Sequence, residues 1–159
     1  MSYISLSQNG STPFEKLMGH VPDVLEKWDQ LETTFFQSKK FTAEFLEQVR
    51  RALALNNVCQ YCMSKAGPPD ENQESARLIE ALRFANKFSI DHTSINESEI
   101  SRMKEYFTDE ELIEFIAFCS FISASQRFGA SLGLQAASNY EQGSGLVANN
   151  GTINQRVLL

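Results

Sequence analysis

The sequence predicts an all-α, single-domain fold, and three observations carry that expectation. Apolar residues recur at spacings of three and four along nearly the whole chain, and no stretch sustains the alternation of a half-buried strand. Helix-start signals stand ahead of those stretches, among them Thr12-Pro13, Thr42, Asn96 with Glu99 and Thr108 with Glu111. The chain has 159 residues, 42% hydrophobic and 21% charged, with 4 Pro and 8 Gly, which suits one core and excludes disordered and collagen-like classes.

Taken in order, residues 1–11 are polar and expected to form a flexible N-terminus. Thr12 and Pro13 start a short helix through Phe14, Leu17 and Met18, which Gly19 closes. Pro22 opens a second helix with Val24, Leu25, Trp28, Leu31 and Phe35 on its inner stripe. After a break at Ser38 to Phe41, Thr42 caps a third, whose stripe is Phe45, Leu46, Val49, Ala52 and Leu53. Asn56 and Asn57 end it, Cys59 to Ala66 forms one further helical segment, and Gly67-Pro68-Pro69-Asp70 stops that.

Gln73 to Phe88 reads as an amphipathic helix carrying Ala76, Leu78, Ile79, Leu82, Phe84 and Ala85, and Ile90 to Asn96 as a connector. Asn96 and Glu99, at capping-box spacing, lead into Ile100 and Met103, and Thr108 with Glu111 opens the last helix, Asp109 to about Leu132. Leu112, Ile113, Phe115, Ile116, Phe118, Cys119, Phe121 and Ile122 surround that helix, so it is expected to lie centrally in the core or to be shared with another subunit. Phe35, Phe36 and Phe41 add to the apolar surface and favour a homo-oligomer. The helical domain is expected over residues 12–137, and 138–159 reads as a polar C-terminal tail.

Net charge is −6, which leaves no electrostatic footprint for nucleic acid or an anionic membrane surface. Met1 to Gly10 lacks the basic and apolar regions of a secretory signal. The longest nearly apolar stretch, Leu112 to Ile122, is interrupted by Glu114 and falls short of the roughly 20 residues a membrane helix needs. A cytoplasmic protein is therefore expected. Three cysteines are too few and of the wrong parity for a disulfide scaffold, and in a reducing compartment closely spaced cysteines serve redox, catalytic or metal roles.

The sharpest local feature is Cys59-Gln60-Tyr61-Cys62. Cysteines three apart share a helix face, and a position near a helix N-terminus favours thiolate, so the pair can close a reversible disulfide. Zinc would need further ligands, and Cys119, His20 and His92 are scattered; haem attachment would need His where Met63 stands. A thioredoxin fold would place the pair after a strand in a βαβ unit. Two packing cysteines remain the bland alternative. Glu47, twelve residues before Cys59, alone reads as an exposed helix pair with Arg50 or Arg51.

The combination of Glu47, eleven residues, Cys59, two residues and Cys62 in a helical chain resembles the carboxymuconolactone decarboxylase family, in its alkylhydroperoxidase AhpD-like branch. Gly19-His20-Val21-Pro22 and Ala81-Leu82-Arg83-Phe84-Ala85 look similar to the family's flanking segments. The resemblance implies that Cys62 attacks the peroxide, Cys59 resolves it as a disulfide, and Glu47 relays protons. Two family histidines are replaced, by Tyr61 and Ala66. Alanine carries no proton, and Tyr61 can donate a hydrogen bond but, with an ordinary pKa of about 10, is a poor base at neutral pH.

The resemblance implies a cofactor-free, metal-free thiol-disulfide oxidoreductase, an alkylhydroperoxidase-like peroxidase in antioxidant defence. Its expected partners are a hydroperoxide or disulfide substrate, an external dithiol reductant, and copies of itself in a trimer or hexamer. The alternative is a non-catalytic helical oligomer or redox sensor that keeps the family fold. Cys119 reads as core, and His20 as structural.

Overall fold

Capping chemistry sets the helix boundaries in the computed structural model, which describes residues 2–70 and 75–135. Among those residues the chain is all-helical, with seven α-helices and one 3₁₀ turn. In α1 (Pro13–Met18), Thr12 accepts from the Glu15 N–H, and the Glu15 carboxylate accepts from the Thr12 N–H at 2.9 Å. Proline starts α2 (Pro22–Phe36), where its missing N–H costs nothing. Thr42 Oγ1 caps α3 (Ala43–Asn56), and the Cys59 sulfur caps α4 (Gln60–Ala66). Gly67 ends α4 at φ 71°, a left-handed position that suits a residue without Cβ.

Ser75 caps α5 (Ala76–Asp91), and the 3₁₀ turn His92–Ser94 leads to α6 (Glu97–Met103). The reciprocal pair Thr108 and Glu111 opens α7 (Asp109–Ser131). Two helix ends differ from the sequence expectation. The expected start of α5 at Gln73 lies outside the described residues, and the helix runs on past Phe88 to Asp91. Only half of the Asn96 box forms: Asn96 accepts from Glu99 N–H at 3.2 Å, but the Glu99 carboxylate turns to Arg83 at 2.7 Å and Lys87 at 2.9 Å. Two cations on the neighbouring helix outcompete one backbone N–H for that carboxylate.

The centre of the bundle is α3, packed against α4, α5 and α7, with α6 laid on α5. Phe115 of α7 is fully buried, with the rings of Phe41, Phe45, Phe84 and Phe107 between 5.7 and 6.5 Å away. Helix α7 packs on α3, α4 and α5 and buries most of its apolar residues, leaving Ile113 71% exposed. Of the crowded phenylalanines Phe35 and Phe41 are buried and Phe36 is partly buried: Phe35 packs on Phe118 and Phe121, Phe36 on Phe118, and Phe41 on Phe45.

The inner face of α2 is Leu25, Trp28, Glu32 and Phe35, whereas Val24 and Leu31 of the expected stripe are exposed. A stripe of period three or four admits both sets, and the neighbouring α7 selects the first through Trp28 and Phe35 against Phe121. Ahead of α1, Tyr3 N–H donates to Leu132 O at 2.8 Å, Ser7 N–H to Lys16 O at 3.0 Å, and Asn9 Nδ2 to Gly19 O at 2.9 Å. The expected tail at 138–159 lies outside the described residues. No described helix is long and apolar enough to cross a membrane.

Candidate functional site

The α3 to α4 turn carries the dithiol, and it is built tightly. Asn57 Nδ2 donates to Ser123 Oγ at 3.2 Å and Gln126 Oε1 at 2.9 Å on α7, and Arg127 Nε donates to Asn57 Oδ1 at 3.0 Å. Gln126 Nε2 in turn donates to Arg50 O at 3.0 Å. Between Asn57 and Cys59 the chain passes through Val58 at φ 52°, a costly conformation for a β-branched residue. That kink brings Cys59 to the N-cap of α4 and turns Cys62 back towards α3.

Cys59 and Cys62 are disulfide-bonded, with Cα atoms 5.2 Å apart. Cys59 is fully buried in a second, smaller apolar cluster with Phe14, Leu17, Met18 and Leu134, while Cys62 is half-buried at its edge. The Cys62 N–H points at the Cys59 sulfur at 3.4 Å. Beside Cys62 opens a cavity of about 10 Å³, room for roughly one water-sized sphere. Phe14, Tyr61 and Ile122 line it together with Arg50, Lys65, Ser125 and Gln126, and the surface these residues turn to the cavity is almost wholly apolar. Ser125 is held in place by the Trp28 Nε1–H, at 3.0 Å.

Glu47 is not the exposed partner that helix spacing alone suggested. It and Arg50 are each 4% exposed, because α3 is enclosed by α4, α5 and α7. The carboxylate accepts from Arg50 Nε at 2.7 Å, from Arg50 Nη2 at 2.6 Å and from Arg51 Nε at 3.1 Å. Burial opposes its ionisation, but the Arg50 and Arg51 charges outweigh burial and hold Glu47 below the usual carboxylate range. Glu47 therefore joins the dithiol through Arg50, whose side chain spans from the carboxylate to the cavity wall.

Tyr61 is buried on the cavity wall, with Lys65 Nζ 5.7 Å from its ring centroid. Ala66 ends α4. Neither histidine lines the cavity: His20 Nε2–H donates to Ser5 O at 2.7 Å, and His92 in the 3₁₀ turn faces the Phe88 ring. Cys119 is a free, fully buried core thiol whose pKa burial pushes up. Among the described residues no group of three or more His, Cys, Asp or Glu side chains could hold a metal.

Sequence reasoning passed over Arg50, Lys65 and Glu32 as members of this neighbourhood. Lys65 is buried although it is charged, and Glu32 buries its Oε1 with no hydrogen-bond partner among the described residues. The signal that could have found them is helical register. Lys65 follows Cys62 by three residues, and Glu32 lies between Trp28 and Phe35 on the inner face of α2.

This architecture, a helical bundle with a CxxC pair capping a short helix against its central helix, is the AhpD-like fold. The crystal structure of the alkylhydroperoxidase AhpD core of an uncharacterized peroxidase-related protein from Ralstonia eutropha JMP134 matches with a TM-score of 0.66, over 77% of this chain and 75% of that one, at 20% identity. No protein-family model and no curated protein sequence matches the chain.

Proposed function

We propose that the chain is a thiol-disulfide oxidoreductase of the peroxidase type, with Cys62 the attacking thiol and Cys59 the resolving one. The observation that carries this reading is the Cys59–Cys62 disulfide with its accessible sulfur beside a cavity that Arg50 and Lys65 line. The positive charges of Arg50 and Lys65, residues that line the same cavity as Cys62, favour its thiolate. The thiolate attacks the terminal oxygen of a hydroperoxide, the O–O bond breaks, and Cys62 becomes a sulfenic acid while an alcohol leaves. Cys59 then displaces that hydroxyl as water and closes the disulfide.

An external dithiol reopens the pair by attacking the more accessible Cys62 sulfur. Cys59 leaves as a thiolate, met by the Cys62 N–H at the helix start. Glu47 serves this chemistry by orienting Arg50, not by taking a proton, because two guanidiniums already occupy its carboxylate. No cofactor enters the cycle, and the site of action we propose is the cytoplasm. Self-association into a trimer or hexamer is also proposed, resting on exposed Val21, Val24 and Leu31 along α2, and light scattering in solution decides it.

The deciding experiment follows peroxide consumption and free thiols in the reduced protein. The pair at Cys59 and Cys62 should lose two thiols per chain and regain both with a dithiol. Cys62→Ser should abolish turnover, and Cys59→Ser should stop at a sulfenic acid that dimedone traps. Peroxide consumption by Cys62→Ser at the parent's rate sinks the proposal and leaves the redox-sensor or packing role of the pair.

A further inference from the structure

Lys65 and Glu32 carry protons that the cycle just described leaves unused. Lys65 shares a face of α4 with Cys62, lines the same cavity, and is only 8% exposed. Glu32 reaches in from α2, close enough to interact electrostatically with both Lys65 and Arg50, and its buried Oε1 has no hydrogen-bond partner among the described residues. The charged groups that act on the two among the described residues include Glu15 on α1, Asp29 on α2, and Arg50 and Glu47 on α3. A cysteine peroxidase needs a proton at the oxygen that leaves, and Glu47 is held in its ionised form by Arg50 and Arg51.

Resting on the dithiol reading above, we propose that Lys65 donates the proton to the oxygen leaving the peroxide and that Glu32 reprotonates Lys65. When the Cys62 thiolate attacks and the O–O bond breaks, the alkoxide takes a proton from the Lys65 ammonium and departs as the alcohol. The neutral amine takes a proton from the Glu32 carboxyl, which recovers its own from solvent. In the next step the Cys59 thiol supplies the proton that turns the sulfenic hydroxyl into water. Burial, with Arg50 adding to it, lowers Lys65 to about 8, and burial raises Glu32 to about 8, so near neutral pH both groups hold transferable protons.

The test is single-turnover peroxide reduction from about pH 6 to about pH 10 in the parent, Lys65→Arg and Glu32→Gln, with the Cys62 thiol pKa read in parallel from alkylation rates. The parent rate should fall above about pH 8, as Lys65 loses its proton. Lys65→Arg keeps the cation but does not release a proton in this range, so its rate should drop roughly 100-fold and the alkaline limb should vanish, with the thiol pKa unchanged. Glu32→Gln should move the limb to lower pH, because the anion that holds the Lys65 proton is gone.

Lys65→Arg with the parent's rate and limb overturns the relay while leaving the dithiol cycle intact. Should Lys65→Arg fail to fold, the parent decides: a rate that does not fall below about pH 9.5 overturns the relay. A parent that consumes no peroxide through Cys62 overturns the dithiol reading, and the relay with it.

Discussion

Glu47→Gln separates a carboxylate that holds the fold and aims a cation from one that acts as a base. The parent carboxylate accepts three charge-assisted hydrogen bonds, two from Arg50 and one from Arg51, and both Glu47 and Arg50 are almost wholly buried. Gln keeps one acceptor oxygen and turns an NH₂ towards the guanidiniums, leaving Arg50 buried without its anion. Removing one partner of a buried pair costs about 3 to 5 kcal/mol, and the retained oxygen places this case near 3. For a chain of this size that corresponds to a melting temperature lower by roughly 6 to 12 °C. Urea unfolding should show a lower midpoint with an unchanged m-value.

The pH dependence has a definite sign. The folded Glu47 sits below the usual carboxylate range, so its contribution is complete above the unfolded pKa of about 4.3 and is lost as pH falls through the lower folded value. The deficit of Glu47→Gln should be largest at neutral pH and should shrink below about pH 4. Adding Arg50→Met should return part of the loss, because the stranded cation is then gone. A deficit under about 1 kcal/mol at pH 7, or one that stays constant from neutral to acid, refutes the buried-pair account.

Phe115→Ala should destabilise by about 3 to 5 kcal/mol, since the ring is fully buried among four other phenylalanines; a loss below about 1 kcal/mol in urea would mean the site collapses freely. Val58→Gly should stabilise by about 1 kcal/mol, because Val58 holds φ 52° while its side chain is exposed, and a thermal melt no higher than the parent's contradicts this. Glu32, raised to about 8 from 4.5 by burial, keeps in the folded state a proton that the unfolded chain releases. Parent stability should therefore fall by up to about 1.4 kcal/mol per pH unit between those values, and Glu32→Gln should lack that fall; equal slopes in the two proteins disprove it.

Helix content and boundaries are local properties, and they were legible. Thr12 with Glu15, Thr42, and Thr108 with Glu111 satisfy the first N–H groups of their helices from within four residues, so no distant partner decides them. The placing of Cys59 at a helix start is of the same kind, as is Cys119 among the apolar residues of α7. Where a distant helix competes, the local signal yields, as it does when Arg83 and Lys87 draw Glu99 away from Asn96.

The sequence by itself thus determined an all-helical chain with a dithiol at the head of a short helix. Only the tertiary structure decided which charges that dithiol meets. Glu32, Glu47, Arg50 and Lys65 look in sequence like solvated helix faces, because register says which side a residue occupies but not whether another helix covers that side. The packing of these helices covers them, and withdrawal from water turns four ordinary surface charges into a buried ion pair and two groups near pH 8, of which Lys65 lines the cavity with Cys62.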